Sequence, residues 1–285
     1  MMRTYFFAIL LCFAPVFAVF AQDSDDIRVM TFNIRLDTPV DSLHQWSYRK
    51  AEAAKLFSLE AVDIAGTQEV MKHQLDDLLA GAQAFASLGV GRADGKEAGE
   101  YSAIFYRKDR FRPERSGNFW LSETPEIAGS KGWDAACERI VSWAVFTDLK
   151  TNRQFLFMNT HFDHIGVQAR KNSALLLIEK AAELAEMLPV IITGDFNGTP
   201  DSEPVEIMLH SGWLFDSKKL AKTTNGPEWS FHDFGRLPEN ERELIDFIFV
   251  NKKVEVKSYS NIFRHLGSTY YSDHNPVIVQ LRLTE

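Results

Sequence analysis

The chain has 285 residues, of which 45% are hydrophobic and 25% are charged, and this is the composition of an ordinary globular protein. Its formal net charge of −8 gives it no general electrostatic attraction to nucleic acid. A phosphorylated ligand can still bind such a chain locally through a metal ion.

The N-terminal stretch has the pattern of an export signal. Arg3 supplies a positive charge, and an almost wholly apolar run from Tyr5 to Phe20 follows it. We predict a signal peptide over residues 1–21, too short for a comfortable membrane span, and a single domain over residues 22–285. The mature protein is then expected to be periplasmic or extracellular, with no stable membrane span after cleavage. An uncleaved anchor is the alternative.

Removal of this segment leaves Cys137 as the single cysteine and changes the formal charge to −9, since 31 − 1 = 30 basic residues then face 39 acidic ones. The core, and not a set of disulfides, is therefore expected to stabilise the exported domain. No coiled coil or exposed apolar helix stands out, so a monomer is expected.

Hydrophobic periodicity predicts the elements in chain order. Strands are expected over residues 27–34, 62–66, 101–106, 141–149 and 154–160, in the apolar run that stops at Gly194, and over 244–250, 254–259 and 276–283. Helices are expected over 48–61, 70–80, 166–188 and a short segment ending at 209. Segment 117–139 is predicted to be a long ordered loop. Several connections between strands are too short for a crossover helix, which favours mixed sheets covered by helices.

A buried strand delivers an acid and an amide into a loop at Gly194-Asp195-Phe196-Asn197. Side chains alternate along an extended backbone, so Asp195 and Asn197 point the same way and Phe196 points into the core. A carboxylate beside an amide can position a water and hold an oxyanion. The alternative is an ordinary Asx turn after a strand.

Other polar groups lie at or just past the ends of predicted strands: Asn33, Glu69, His161, Asp163, Asp273 and His274. Asp246 lies within an apolar strand, and a buried carboxylate is costly unless it is paired; His274 is the candidate partner. So many carboxylates in one cleft would repel one another without a cation. Oxygen ligands favour Mg²⁺ or Mn²⁺ over Zn²⁺.

Six stretches, in chain order, resemble the endonuclease/exonuclease/phosphatase superfamily, which has the fold of deoxyribonuclease I: TFNIR, GTQEV, NTH, GDFN, IDFIFV and SDHNP. The combination of GDFN with SDHNP is the specific part. The segment around 117–139 is similar to a bacterial exported subgroup. The resemblance implies an α/β (α+β) fold, a four-layer α/β/β/α sandwich of two mixed β-sheets with a cleft at the strand ends.

The resemblance also implies a role for each matching residue. Asn33, Glu69 and Asp273 are expected at the metal site. Asp195 and Asn197 are expected to activate and orient the attacking water. His161 and His274 are expected to contact the phosphate, with Asp246 supporting His274. The implied reaction is single-step hydrolysis of a phosphodiester or phosphomonoester, with either Asp195 or His274 as the general base.

Substrate contacts are expected from Arg139, Asp163, Trp229 and His232. Arg139 either clamps a phosphate or pairs with Glu138 or Asp134. The aromatic residues Trp229, Phe231 and His232 either stack on a base, sugar or lipid head group or anchor their loop. The substrate is a phosphorylated molecule of open class: nucleic acid, nucleotide, inositol phosphate, sugar phosphate or phospholipid.

Two other functions compete with this prediction. The first is a zinc hydrolase built on His161, Asp163 and His164, which are similar to part of a metallo-β-lactamase motif; that motif needs a histidine where Asn159 stands. The second is an exported binding protein that has kept the fold and lost turnover.

Overall fold

The computed structural model describes residues 25–284, so the predicted signal peptide lies outside the described residues. The strands within this range are, in chain order, β1 (Ile27–Asn33), β2 (Ile64–Val70), β3 (Phe85–Leu88), β4 (Tyr101–Arg107), β5 (Phe111–Trp120), β6 (Ile140–Asp148), β7 (Arg153–His161), β8 (Val190–Asp195), β9 (Leu214–Asp216), β10 (Thr223–Asn225), β11 (Asp246–Asn251), β12 (Val254–Asn261), β13 (His265–Leu266), β14 (Thr269–Tyr270) and β15 (Val277–Leu283).

The α-helices of the same range are α1 (Trp46–Leu59), α2 (Lys72–Gly81), α3 (Val167–Ala185), α4 (Glu203–His210) and α5 (Ser217–Leu220). Short 3₁₀ helices cover Pro39–His44, Asp233–Gly235 and Glu239–Glu241. Between residues 25 and 284, none of the helices combines the length and apolarity that a membrane crossing requires.

The strands form two large mixed sheets and a small hairpin. The first sheet has the order β10-β12-β15-β1-β2-β4-β3, the second has the order β5-β6-β7-β8-β11-β9, and β13 pairs with β14. Each large sheet contains a parallel pair at its centre, β1 with β2 and β7 with β8, among mostly antiparallel neighbours. The predicted mixed arrangement is confirmed.

Alternation of side chains along the central strands creates the four layers. In β1, Ile27 and Val29 pack between the sheets against residues of β7 such as Phe155 and Phe157. The residues of β1 that point to the opposite face, including Phe32, pack against α1 and α2. The second sheet uses its opposite face in the same way, against α3 and α4. The expected helix–sheet–sheet–helix sandwich is therefore observed.

The inward face of each central strand changes from apolar to polar toward one end. In β8 the inward residues are Ile191, then Thr193, then Asp195. In β7 they run from Phe157 through Asn159 to His161. The same period-two alternation therefore brings strand-end polar groups of both sheets into one cleft.

A layer of buried hydrogen bonds separates this cleft from the apolar core. Asn159 is its centre: its Nδ2 donates to Thr67 O at 2.8 Å, and its Oδ1 accepts from Gln68 Nε2 at 2.7 Å and from Thr193 Oγ1 at 3.0 Å. Gly66 lies at this crossing, where a Cβ would overlap Thr193 and Asn159. The two sheets therefore approach each other closely just beneath the cleft.

Three differences from the predicted boundaries bear on the site. Strand β5 occupies part of segment 117–139, so the ordered loop begins after Trp120. Strand β2 continues to Val70, and the next helix begins at Lys72 instead of residue 70. Asp246 is the first residue of β11 and not a residue within it, and the N–H groups of Ile245 and Asp246 both donate to Ser230 Oγ at 3.1 Å.

Candidate active site

Asp195 is the centre of the cleft. Its Oδ2 accepts from Asn33 Nδ2 at 2.9 Å and lies 3.5 Å from His161 Nε2 and 3.8 Å from His274 Nε2. Its Oδ1 accepts from the backbone N–H of Asn197 at 2.9 Å, so the Asx turn forms as well. Burial, followed by the charge of Asp246, raises the pKa of Asp195 to about 7.

A β-bulge brings Glu69 to the same place. Alternation along β2 would point Glu69 toward the helices, but the pairing of β2 with β4 shifts register between Thr67 and Val70, and Glu69 has φ 61°. Its Oε1 accepts from Asn33 Nδ2 at 3.0 Å and its Oε2 from Leu36 N at 3.0 Å. Burial opposes ionisation, but these hydrogen bonds prevail and lower the pKa of Glu69.

Asp246 and His274 form a buried ion pair. His274 Nδ1 lies 2.8 Å from Asp246 Oδ2, as the sequence predicts. Burial alone would lower the pKa of His274, but Asp246, Asp195 and Asp273 outweigh burial and raise it to about 10. His274 is therefore a cation at neutral pH, with its Nε2 directed toward Asp195.

His161 is neutral in the same cleft. Burial, and then the charges of Arg139 and Arg92, hold the pKa of His161 well below its ordinary value. Its Nε2 lies 2.9 Å from Asn197 Nδ2, which also donates to Phe162 O at 2.9 Å. Because both amide protons of Asn197 are used, its Oδ1 is the group left to hold a water.

Arg139 pairs with neither of the acids considered for it. Its Nε lies 3.4 Å from Asp163 Oδ1, its Nη2 lies 2.9 Å from His164 Nδ1, and its buried Nη1 has no partner among the described residues. Arg139 lines the cleft, where its unpartnered donor suits an anionic oxygen.

The cleft is a cavity of about 420 Å³. Seven of the predicted site residues line it: Glu69, Arg139, His161, Asp195, Asn197, Asp273 and His274. Asn33 and Asp246 lie behind its wall, where they hold Glu69, Asp195 and His274 in place.

The cavity has further lining residues that the motifs do not predict: Arg35, Arg92, Glu100, Asp233 and Glu243. The sequence does carry a signal for Arg35. It follows Asn33 by two residues at the end of β1, and side chains at this spacing point to the same side of an extended backbone. Arg92 and Glu100 pair at 2.6 and 2.8 Å from opposite ends of a glycine-rich loop, and this spacing carries no periodic signal.

Three predicted substrate contacts do not line the cavity. Asp163 is fully buried, and its Oδ2 accepts from the N–H groups of Ala136, Ile165 and Gly166. Burial alone would raise the pKa of Asp163, but these hydrogen bonds to the ionised form outweigh burial and keep the pKa below its ordinary value. Asp163 thus holds a loop and positions Arg139.

Trp229 and His232, the other two predicted substrate contacts, anchor their loop instead. Trp229 lies under Arg242, whose guanidinium is 4.4 Å from its ring centroid, and it also packs against Phe263. His232 Nδ1 accepts from Gly235 N at 2.9 Å. Both are buried loop anchors, whereas Phe231 between them lines the cavity.

The cleft offers carboxylate oxygens to a divalent cation. Asp195, Asp246 and His274 also place potential ligand atoms within 4.8 Å of one another, but Asp246 and His274 pair with each other. Glu69, Asp195 and Asp273 line one cavity, and burial, together with the charge of Glu69, raises the pKa of Asp273. The Arg35 guanidinium is 4.0 Å from Glu69 and 3.7 Å from Asp273, while its two side-chain hydrogen bonds, both at 3.0 Å, go to Asp41. Oxygen donors of this kind suit Mg²⁺ or Mn²⁺. Asn33 Oδ1 accepts from Arg35 N at 3.0 Å, so Asn33 positions the carboxylates.

The predicted zinc cluster does not assemble. Asp163 and His164 gather with Cys137, without His161. The Arg139 guanidinium occupies the space beside Asp163 and His164, where its charge opposes a cation.

Comparison with known proteins identifies the family of the chain. Residues 30–274 match the Endonuclease/Exonuclease/phosphatase family. The endonuclease/exonuclease/phosphatase structure from Bacteroides vulgatus is 45% identical, with a TM-score of 0.88, and the alignment covers 90% of this chain and 99% of that one. No curated protein matches the chain.

Two other solved structures are similar to the chain at different levels of sequence identity. A mannosyl-6-phosphatase from Bacteroides thetaiotaomicron is 39% identical, with a TM-score of 0.85 and coverage of 90% of this chain and 99% of that one. D. rerio TDP2, complexed with a single-strand DNA product, is 18% identical, with a TM-score of 0.72 and coverage of 91% and 100%. The latter shows the shared fold alone. The chain belongs to the endonuclease/exonuclease/phosphatase family and has its deoxyribonuclease I-like fold.

Proposed function

We propose that the chain is a Mg²⁺- or Mn²⁺-dependent phosphoesterase that hydrolyses the phosphomonoester of a small polyhydroxylated alcohol, such as a sugar phosphate. The observation that carries this proposal is the position of Asp195, within 3.8 Å of both histidines and hydrogen-bonded to Asn33. The mannosyl-6-phosphatase at 39% identity supports the monoester.

The proposed chemistry uses the ionised carboxylate of Asp195 as the base and the protonated imidazole of His274 as the acid. Asn197 Oδ1 holds a water, and Asp195 accepts its proton as the water oxygen bonds to phosphorus. The ester P–O bond breaks, and protonated His274 gives a proton to the leaving alkoxide. Arg139 holds a phosphate oxygen. A cation bound by Glu69 and Asp273 would neutralise charge on the phosphate oxygens.

The charges around the cavity favour a monoester over a nucleic acid. Glu100, Asp233 and Glu243 are among its walls beside Arg35, Arg92 and Arg139, and the whole chain carries a net charge of −8. Additional backbone phosphates would meet these carboxylates, whereas the hydroxyl groups of a sugar can donate to them.

The test compares phosphate release from mannose 6-phosphate with cleavage of a phosphodiester and of an oligonucleotide, each with Mg²⁺, Mn²⁺ or Zn²⁺. We expect faster monoester hydrolysis and a loss of about 10³-fold in kcat/KM for Asp195→Asn and for His274→Ala. Asp76→Asn, at an exposed carboxylate on α2, is the matched control and should leave the rate unchanged.

The alternatives give other results. Faster diester cleavage would overturn the substrate class, and Zn²⁺-dependent turnover that survives Asp195→Asn would favour the zinc hydrolase. Absence of turnover with any of the three ions would favour the binding protein.

We further propose export of the chain and a monomeric domain over residues 22–285. The apolar run that follows Arg3 supports export. N-terminal sequencing of the secreted protein should begin at Gln22, and a retained Met1 would contradict cleavage.

A further inference from the structure

A second cavity, of about 290 Å³, lies beside the active site. It shares Asn197 and Glu243 with the first cavity, so these two residues stand at the junction. The first turn of α3, the loop after Asn197 and the start of α4 supply its other walls. Both volumes are near the lower part of the range for small-molecule sites, roughly 300–1,000 Å³.

The walls of the second cavity are polar and carry mixed charge. Thr199 and Ser202 contribute hydroxyl groups, and Arg170 contributes a guanidinium whose Nη1 donates to Asp163 O at 3.1 Å. Two carboxylates, Glu203 and Glu243, lie on the same walls. Lys171 pairs with Glu203 at 2.6 Å, so cations and anions balance around this cavity, and its donors and acceptors together suit hydroxyl groups.

Phe231 lines the first cavity beside the reacting group. Its half-buried ring lies 4.9 Å from the ring of His274. Its backbone is fixed, since Phe231 N donates to Glu243 O at 2.9 Å and Phe231 also bridges to His274. A rigid apolar face therefore lies beside the proton donor in the first cavity, which Glu243 also lines, and this arrangement matches a sugar ring with an apolar face and a hydroxyl edge.

We propose that the second cavity binds the next unit of a glycan, so that the substrate is a phosphorylated oligosaccharide. The phosphorylated residue occupies the first cavity beside Phe231, and the following sugar passes Glu243 into the second. This inference rests on the proposed phosphomonoesterase function. Contacts between the second sugar and this cavity would add binding energy and so raise kcat/KM.

The test measures the ratio of kcat/KM for a 6-phosphorylated mannose disaccharide to that for mannose 6-phosphate. We expect about a tenfold advantage for the disaccharide. Val167 is 54% exposed and lines the second cavity, so Val167→Trp should fill it and bring the ratio close to one. Leu175→Trp, at a 49% exposed position further along α3, is the matched control and should keep the parent ratio.

Several outcomes would overturn the proposal: equal values for the two substrates in the parent, an unchanged ratio in Val167→Trp, or a preference for a 5′-phosphorylated oligonucleotide. Calorimetry with Asp195→Asn separates this inference from the proposed function. Tighter binding of the disaccharide than of the monosaccharide would support the subsite without turnover, and equal binding would contradict it.

Discussion

At the scale of single residues, Asp195 combines a structural cost with a chemical use. It is buried within 3.8 Å of two histidines and accepts hydrogen bonds from Asn33 and Asn197. Its raised pKa means that the folded protein holds a proton there more tightly than the unfolded chain does. An acid whose pKa is near neutrality is suited to proton transfer, and its ionised form is costly to bury.

Asp195→Asn should therefore increase stability while lowering kcat/KM about 10³-fold. The ordinary pKa of 3.8 rises to about 7 on folding, so the parent loses unfolding free energy as pH rises from about 4 through 7. With chelator present, we expect the substitution to raise the unfolding free energy at pH 8 by on the order of 2 kcal/mol. Denaturant unfolding between pH 4 and pH 8 measures this difference.

Asp76→Asn serves as the control in the same titration, because its carboxylate is exposed on α2. A variant at Asp195 that is no more stable than the parent at pH 8 would show that the buried carboxylate is compensated in the folded protein.

Most of the acting residues were predictable because each follows a recognisable strand. The pairing of Asp246 with His274 follows from the cost of a lone buried carboxylate. The choice among Trp229, Phe231 and His232 was not predictable, since a loop rich in Gly and Pro has no regular alternation to say which side chain faces the cavity.

At the scale of elements, the end of β2 shows where local pattern fails. The stretch from Gly66 to Val70 has few apolar residues, so the predicted strand stopped at Gly66. Pairing with β1 and β4 extends it, and the bulge turns Glu69 toward the cleft. Tertiary pairing supplies this extension. Strand β5 was missed for a similar reason: Pro113 and several charged residues occupy an edge strand.

Gly66→Ala tests the close approach of the sheets at this point. The new methyl group would overlap Thr193 and Asn159 and disturb the buried hydrogen bonds, so we expect a loss of roughly 2–4 kcal/mol in unfolding free energy. Gly212→Ala is a useful contrast, because that site has open space and only its φ of +80° opposes alanine. The loss there should be about 1 kcal/mol.

Urea unfolding of the two variants measures these losses. A smaller loss at Gly66 than at Gly212 would show that the sheets can separate beneath the cleft at little cost.

At the scale of the whole molecule, the site exists because two sheets present the same ends to each other. Asn33 and Glu69 come from the first sheet, and His161 and Asp195 come from the second. Hydrophobic periodicity and motif order predicted the layers. They could not predict the order of strands, such as the pairing of Ile27 with Leu281 across nearly the whole chain.

The most direct test of the central claim is the metal dependence of phosphate release from mannose 6-phosphate. Chelator should abolish release by the parent, and added Mg²⁺ or Mn²⁺ should restore it. Glu69→Gln should need at least about tenfold more Mg²⁺ for half-maximal activity, because it removes a charged oxygen donor from the cavity. Release that persists in chelator, or an unchanged Mg²⁺ requirement in Glu69→Gln, would contradict a cation site at the strand ends.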